Sequence, residues 1–211
     1  MKRILFQGDS ITDADRDREN FYSAGIGYAR LVSAKMGFDY PGEYEFLNRG
    51  VSGNKVTNLI ARMKRDIINL RPDVLSILVG VNDVWHEVKR GEGNSTELYE
   101  TAYELLINEV KKALPEARII ILEPFALKGT GTEEHWDIFE ADVREKAQAA
   151  ERVAKKNGLQ FVQLQTCFDQ ALALAPAEYW LQDGVHPTAA GHELIARQWI
   201  RAFQDALQKK Y

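Results

Sequence analysis

Short, dense apolar runs alternate along this chain with longer stretches whose apolar residues recur every three or four positions. The dense runs fall at residues 3–7, 44–47, 74–79, 118–122 and 160–163. They are too short for helices and rich in Ile, Val, Leu and Phe, so they predict five strands. "VLSILV" and "RIIIL" are nearly all apolar, the pattern of strands covered on both faces. The periodic stretches predict helices over 27–36, 55–70, 96–114, about 137–156 and about 188–207. In 55–70 the stripe is Val56, Leu59, Ile60, Met63, Ile67 and Leu70. Pro72 stops that helix, because the residue before a proline disfavours helical geometry. Asn157-Gly158 closes the fourth helix, and Thr188 is a candidate cap for the last.

Strand–helix alternation predicts an α/β chain with helices on both faces of a parallel sheet. Ligands in such sheets bind beyond the carboxyl ends of the strands. Four loops should therefore open at one edge: "GDSITD", "GVSGN", "GVNDVW" and "EPFALKG". The chain has 211 residues and no repeat, linker or low-complexity tract, which predicts one domain over 1–211. Its net charge is -4, which argues against a nucleic-acid partner. A single cysteine, Cys167, excludes an intrachain disulfide and reads as a small buried residue. No run approaches the ~20 apolar residues of a membrane span, and the N-terminal apolar run is too short for a secretion signal. The expectation is a cytoplasmic protein.

The chemistry starts at the first loop, where Ser10 follows Gly8-Asp9 among several acids. Three chemistries compete there. An aspartyl nucleophile of the haloacid dehalogenase type needs a second aspartate two residues after Asp9, and that position is Ile11. A metal site lacks its ligands. His186 and His192 stand six apart, off a common helical face, and the acids of "DSITDADRD" lack the glycine and glutamate of a calcium loop. These acids read as a solvated loop, and no metal or cofactor is expected. A serine nucleophile needs a base, an orienting group and oxyanion donors. His186 and Asp183 stand three apart in "DGVHP", on one short loop. Gly53 offers a backbone N–H, and Asn82 a side-chain amide. His192 reads as a surface helix histidine.

"GDSIT", "NRGVSGN", "GVND" and "DGVHP", in this order over residues 8–187, resemble the blocks of the SGNH hydrolases, also called GDSL esterases and lipases. The resemblance implies a three-layer α/β/α, flavodoxin-like fold with a five-stranded parallel sheet. It implies Ser10 as nucleophile, His186 and Asp183 completing a triad, and an oxyanion hole from Ser10, Gly53 and Asn82. It also implies that Asp9 braces the turn aiming Ser10. Ser52 is a decoy, since the second glycine of a G-x-S-x-G elbow is replaced by Asn54.

The finer pattern, with "NDVW" and "EPF", looks most like small bacterial acetylesterases of that family acting on xylo-oligosaccharides. This implies deacetylation of xylan- or mannan-derived oligosaccharides, and often an oligomer. Asp9, Trp85, Phe125 and Trp180 are candidate substrate-binding residues, the tryptophans as stacking faces for sugar rings. Alternatives of the same fold are a short-chain carboxylesterase, a thioesterase or a lysophospholipase. A non-catalytic relative would be expected to have lost Ser10, His186 or an oxyanion residue. Residues 128–135, "KGTGTEEH", read as a flap over the site or a solvated connection.

Overall fold

The computed structural model describes residues 1–208. Its chain order is β1 (Lys2–Gly8), α1 (Ser10–Asp13), α2 (Tyr28–Asp39), β2 (Tyr44–Asn48), α3 (Val56–Asp66) and β3 (Val74–Leu78). There follow α4 (Val81–Arg90), α5 (Thr96–Ala113), β4 (Arg118–Leu122), α6 (Trp136–Lys156), β5 (Gln160–Val162), α7 (Gln165–Ala171), α8 (Ala177–Trp180) and α9 (Ala189–Gln208). All five expected strands form, each shifted by two residues or fewer at its ends. The expected helix over 55–70 is shorter: α3 ends at Asp66 and a tighter turn, Ile68–Leu70, finishes the stripe. Its apolar residues still pack together against the sheet.

The sheet is wholly parallel with strand order β2-β1-β3-β4-β5. From β1 the chain first builds outward to β2, then returns to add β3, β4 and β5 on the other side. This is the doubly wound order of flavodoxin-like folds, and its switch point lies between β1 and β3. The loops leaving those two strands carry Ser10 and Asn82.

The two-residue period of a strand sorts the core into two layers. Ile4, Phe6, Ile120 and Leu122 face one side with α2 and α9. Leu5, Leu75, Ile77 and Ile121 face the other with α3 and α5. Trp199 of α9 is fully buried, stacked on Phe203, and its indole N–H donates to Ser76 Oγ at 3.0 Å. That bond satisfies a hydroxyl in the middle of an otherwise apolar strand. Thr188 caps α9 as expected, its Oγ1 accepting from Gly191 N. Cys167 departs from expectation: it sits on the short helix α7 and is only partly buried. Among the described residues no helix is long and apolar enough to cross a membrane.

Candidate active site

β1 ends at Gly8, and the next two residues turn the chain into the single turn α1. Asp9 caps that turn: its Oδ1 accepts from Ile11 N at 3.0 Å. The cap sets Ser10 at the first helical position, with its side chain at the sheet edge. Ala14 and Asp15 then adopt left-handed φ angles of 40° and 54°, unfavourable for residues with a Cβ, and carry the chain away from Ser10.

From the other end of the sequence, the 183–186 loop meets this turn. Ser10 Oγ lies 3.0 Å from His186 Nε2. His186 Nδ1 lies 2.7 Å from Asp183 Oδ2. The second carboxylate oxygen, Asp183 Oδ1, accepts from Val185 N at 3.0 Å and His186 N at 2.8 Å. Burial alone would raise the Asp183 pKa, but the imidazole and the two N–H groups outweigh it and hold the carboxyl near 2. The same contact with Asp183 raises the His186 pKa above the ordinary imidazole value, against burial. A hydroxyl, an imidazole and an ionised carboxylate thus stand in series. Such a series can move a proton from the hydroxyl onto the ring.

Residues 128–135 are not a loose flap. Leu127 N donates to Gly184 O, and Gly131 N to Asp183 O, both at 2.9 Å. Buried Thr132 bonds back to Leu127 O at 2.8 Å. The segment is the wall against which the Asp183 loop is set. Glycine and threonine are there for close backbone approach: a Cβ on Gly131 would sit 2.6 Å from the Trp85 ring.

Donors lie on the other side of Ser10. Gly53 has a φ of 80°, and a Cβ there would meet nothing within 4 Å, so backbone torsion and not crowding calls for glycine. Among the described residues, neither Ser10 N–H nor Gly53 N–H donates to a protein acceptor. Asn82, nearly buried at the start of α4, donates Nδ2–H to Asn54 O at 3.2 Å, which leaves its second amide hydrogen free. The next residue, Asp83, is fully buried and accepts from Asn94 Nδ2 and Val56 N, tying the start of α4 to the start of α3.

A cleft of about 580 Å³ opens beside Ser10 and His186, bordered by Ser52, Arg18, Ile26 and Gln182. The four expected substrate-binding residues lie elsewhere. Phe125 is fully buried, stacked on Phe168 at 4.4 Å between ring centroids. Asp9 is buried too and serves the turn. Trp180 turns back so that its indole N–H donates to Ala175 O. Trp85 is the exception in part: it does not border the cleft, but its ring packs edge-on against His186, with 6.1 Å between the ring centroids. An aromatic residue following a strand faces core or cleft according to local backbone torsion, which the sequence pattern does not reveal.

Two further expectations are overturned. The acidic stretch after Ser10 is not a solvated loop throughout. Asp13 is nearly buried, and its Oδ2 accepts from Arg18 and from Ser52 N, bracing the Gly53 loop. His192 is not a surface histidine. It is buried at the foot of the cleft, its Nδ1 accepts from Tyr28 N, and burial drops its pKa to about 4. Sequence reading also missed Arg18, Ile26 and Gln182 at the cleft. The only signal available for them was proximity in sequence to Ser10 or His186. Among the described residues, no group of three or more His, Cys, Asp or Glu is arranged to hold a metal ion.

A parallel α/β sheet with hydroxyl, imidazole and carboxylate in series at its switch point matches the architecture of acyl-ester hydrolases. The profile of the GDSL-like lipase/acylhydrolase family matches residues 6–194, and the chain belongs to that family. It is a carboxylic ester hydrolase. The acetylxylan esterase of Geobacillus stearothermophilus is 32% identical over 209 residues, covering 95% of this chain and 93% of that one. The crystal structure of that esterase superposes with a TM-score of 0.86 at 31% identity, over 95% of this chain and 93% of that one. A protein of Parabacteroides merdae assigned as a GDSL-like lipase superposes at 0.89 with 39% identity, over 95% and 94% of the two chains.

Proposed function

We propose that this esterase removes acetyl groups from acetylated oligosaccharides derived from xylan or mannan, with Ser10 as nucleophile. The observation that carries the reading is the unbroken series Ser10 Oγ, His186, Asp183, with contacts of 3.0 and 2.7 Å. The similar esterase of Geobacillus stearothermophilus acts on acetylxylan by name, and its catalytic variants alter one serine and one aspartate. Ser10 and Asp183 are the same residue types. The cleft supports a hydroxyl-rich substrate, because Arg18, Ser52 and Gln182 offer polar groups where a long acyl chain would need apolar walls.

The reaction runs in two halves. Ser10 Oγ attacks the acetyl carbonyl while its proton passes to His186 Nε2. Asp183 holds the ring with Nδ1–H toward itself, so Nε2 is free to accept, and it stabilises the imidazolium that forms. The negative charge on the carbonyl oxygen is met by the N–H groups of Ser10 and Gly53 and by the free amide hydrogen of Asn82. The tetrahedral intermediate collapses, the C–O bond to the sugar breaks, and His186 gives its proton to the leaving sugar hydroxyl. Water then attacks the acetyl-Ser10 carbonyl, its proton passing to His186; the bond from the acyl carbon to Ser10 Oγ breaks, His186 returns the proton to Oγ, and acetate leaves.

Acetate release from acetylated xylo-oligosaccharides, compared between wild type and Ser10→Ala, tests the reading. Release by wild type and none by the variant is expected. A folded wild type that releases none, but cleaves short thioesters or lysolipids, sinks the carbohydrate substrate. A variant that still turns over sinks Ser10.

A further inference from the structure

Arg62 lies on α3, outside the cleft, and no step of the proposed reaction uses it. Its side chain is only 11% exposed and engages four acceptors. Nε donates to Asn54 Oδ1 at 2.7 Å, Nη1 to Arg49 O at 2.7 Å and to Asp66 Oδ2 at 3.2 Å, and Nη2 to Gly8 O at 3.0 Å. A guanidinium has five N–H donors in a rigid plane, so four of the five are spent here. Three of these acceptors lie on segments carrying the donors described above. Gly8 is two residues before Ser10. Arg49 opens the loop that leads to Gly53. Asn54 follows Gly53, and its own carbonyl accepts from Asn82.

We infer that Arg62 is a positioning residue for the oxyanion hole: one buried guanidinium locks the loops after β1 and β2 at a fixed separation and, through Asn54, sets the Asn82 amide. The inference rests on the proposed serine mechanism but not on the identity of the sugar.

The chemistry explains why the residue is arginine. Among the described residues, the backbone of the loop after β2 stays bonded to the end of β1 only through Arg49 N to Phe6 O and Val51 N to Gly8 O, so further ties between the two loops must come from side chains. A planar fork reaches the carbonyls of Gly8 and Arg49 and the Asn54 side chain at once, whereas a lysine ammonium offers three donors on a flexible stem. The charge is balanced from behind by Asp66, which also accepts from Arg65 Nε and Nη2. Burial lowers the Arg62 pKa on balance, with Asp66 opposing it, and a guanidinium keeps its charge even so. A rigid hole costs no reorganisation when charge develops on the substrate oxygen. Loosening it should therefore weaken transition-state binding and leave ground-state binding nearly alone.

The test uses Arg62→Gln and Arg62→Lys with p-nitrophenyl acetate, after subtracting Ser10→Ala turnover, so it does not depend on the oligosaccharide. Active enzyme is counted by stoichiometric labelling of Ser10 with a fluorophosphonate. The expected result is a kcat lower by ~10–10²-fold per labelled site in both variants, with KM within about threefold. In an Asn82→Ala background the same Arg62→Gln change should cost less than it does in wild type, because one of the three donors it sets is gone. A kcat within twofold of wild type, or a full additive loss in the Asn82→Ala background, overturns the inference. Should Arg62→Gln fail to fold, Asn54→Ala removes one arm of the network and keeps the Asn54 carbonyl. A kcat loss of about threefold or more at constant KM supports the role, and none overturns it. If Ser10→Ala retains turnover or fluorophosphonate labelling, the serine mechanism itself fails, whatever Arg62 does.

Discussion

The two sides of Ser10 are held in different ways. On the donor side, the loops after β1, β2 and β3 are locked by buried charged side chains: Arg62 on the carbonyls of Gly8 and Arg49, Asp13 on Ser52 N, Asp83 on Val56 N. On the base side, the Asp183–His186 loop is pinned mainly by backbone bonds to its neighbour, Leu127 to Gly184 and Gly131 to Asp183, with one carboxylate inside the loop. The difference follows from topology. The loops leaving the parallel strands share few backbone bonds, Val51 N to Gly8 O being one, so side chains supply most of the bridges. The base loop instead closes on itself through the Leu181–Pro187 bridge and lies against a neighbouring strand exit. Charge-altering substitutions should therefore damage the donor side, and substitutions that add a Cβ should damage the base side.

The largest effect is expected where the two rules meet, at Asp183. Asp183→Asn keeps the shape but removes the charge that fixes the ring tautomer. Turnover should fall by ~10³–10⁴-fold, as in triads altered at the same position. The pH–rate profile should move as well. The His186 pKa is raised chiefly by Asp183, and the base must be neutral, so wild-type activity climbs with pH through a pKa above 6.5. In the variant that climb should shift to lower pH. A profile that stays in place would show that Asp183 does not face the working base.

On the donor side, Asn82→Ala should lower kcat by ~10²–10³-fold with the fold intact. Turnover within twofold of wild type would remove Asn82 from the hole. On the base side, Gly184→Ala tests the backbone rule. Gly184 has a φ of 96°, and a Cβ there would sit 2.4 Å from Leu127 O. The variant should lose ~1–3 kcal/mol of stability from that torsion and the clash, seen as a lower urea midpoint with unchanged slope. It should also lose activity through a displaced His186. An unchanged midpoint would mean the loop is freer than its hydrogen bonds indicate.

How much of this was legible in the chain also divides along the same line. The five strands, Ser10, and the Asp183–His186 pair stand in short local patterns whose glycines and apolar runs announce them. α4 did not, because "GVNDVW" follows a strand without a capping serine or threonine, and reads as loop. Yet Val81, Val84, Trp85 and Val88 carry helical spacing and pack against the core. Arg62 and Asp13 were invisible for another reason. The loop partners that matter lie far off in sequence, Arg49 and Gly8 being 13 and 54 residues from Arg62 and Ser52 39 from Asp13, and a charged residue on an amphipathic helix or in an acidic loop normally faces water. Phe125 and Trp180 were misplaced because composition marks an aromatic residue but not its direction. The donor side depends on long-range side-chain contacts, so sequence reading saw its donors without seeing what holds them.

Asp9 gives the smallest expected change in turnover and the sharpest contrast with Asp183. Both carboxyls lie within two contacts of Ser10, but burial dominates one and hydrogen bonds the other. Asp9 accepts only Ile11 N on Oδ1, and its buried Oδ2 has no partner, so burial raises its pKa to about 7. Between about pH 4 and 7 the folded chain keeps a proton on Asp9 that the unfolded chain has released. Stability from this group is thus present below pH 4 and lost as pH rises to 7. Asp183 acts in the opposite sense: its pKa falls to about 2 on folding, so its contribution is present above pH 4 and lost on acidification. His186 adds a loss with rising pH only above about 6.5, because its pKa is raised. Asp9→Asn keeps an oxygen for Ile11 N and carries no titrating proton. Urea unfolding at pH 4.5, 5.5 and 6.5 should show a stability that falls less with pH in Asp9→Asn than in wild type, with kcat within about threefold. Equal slopes in the two proteins would mean that Asp9 is ionised in the fold, its free oxygen met by water or by the His186 charge.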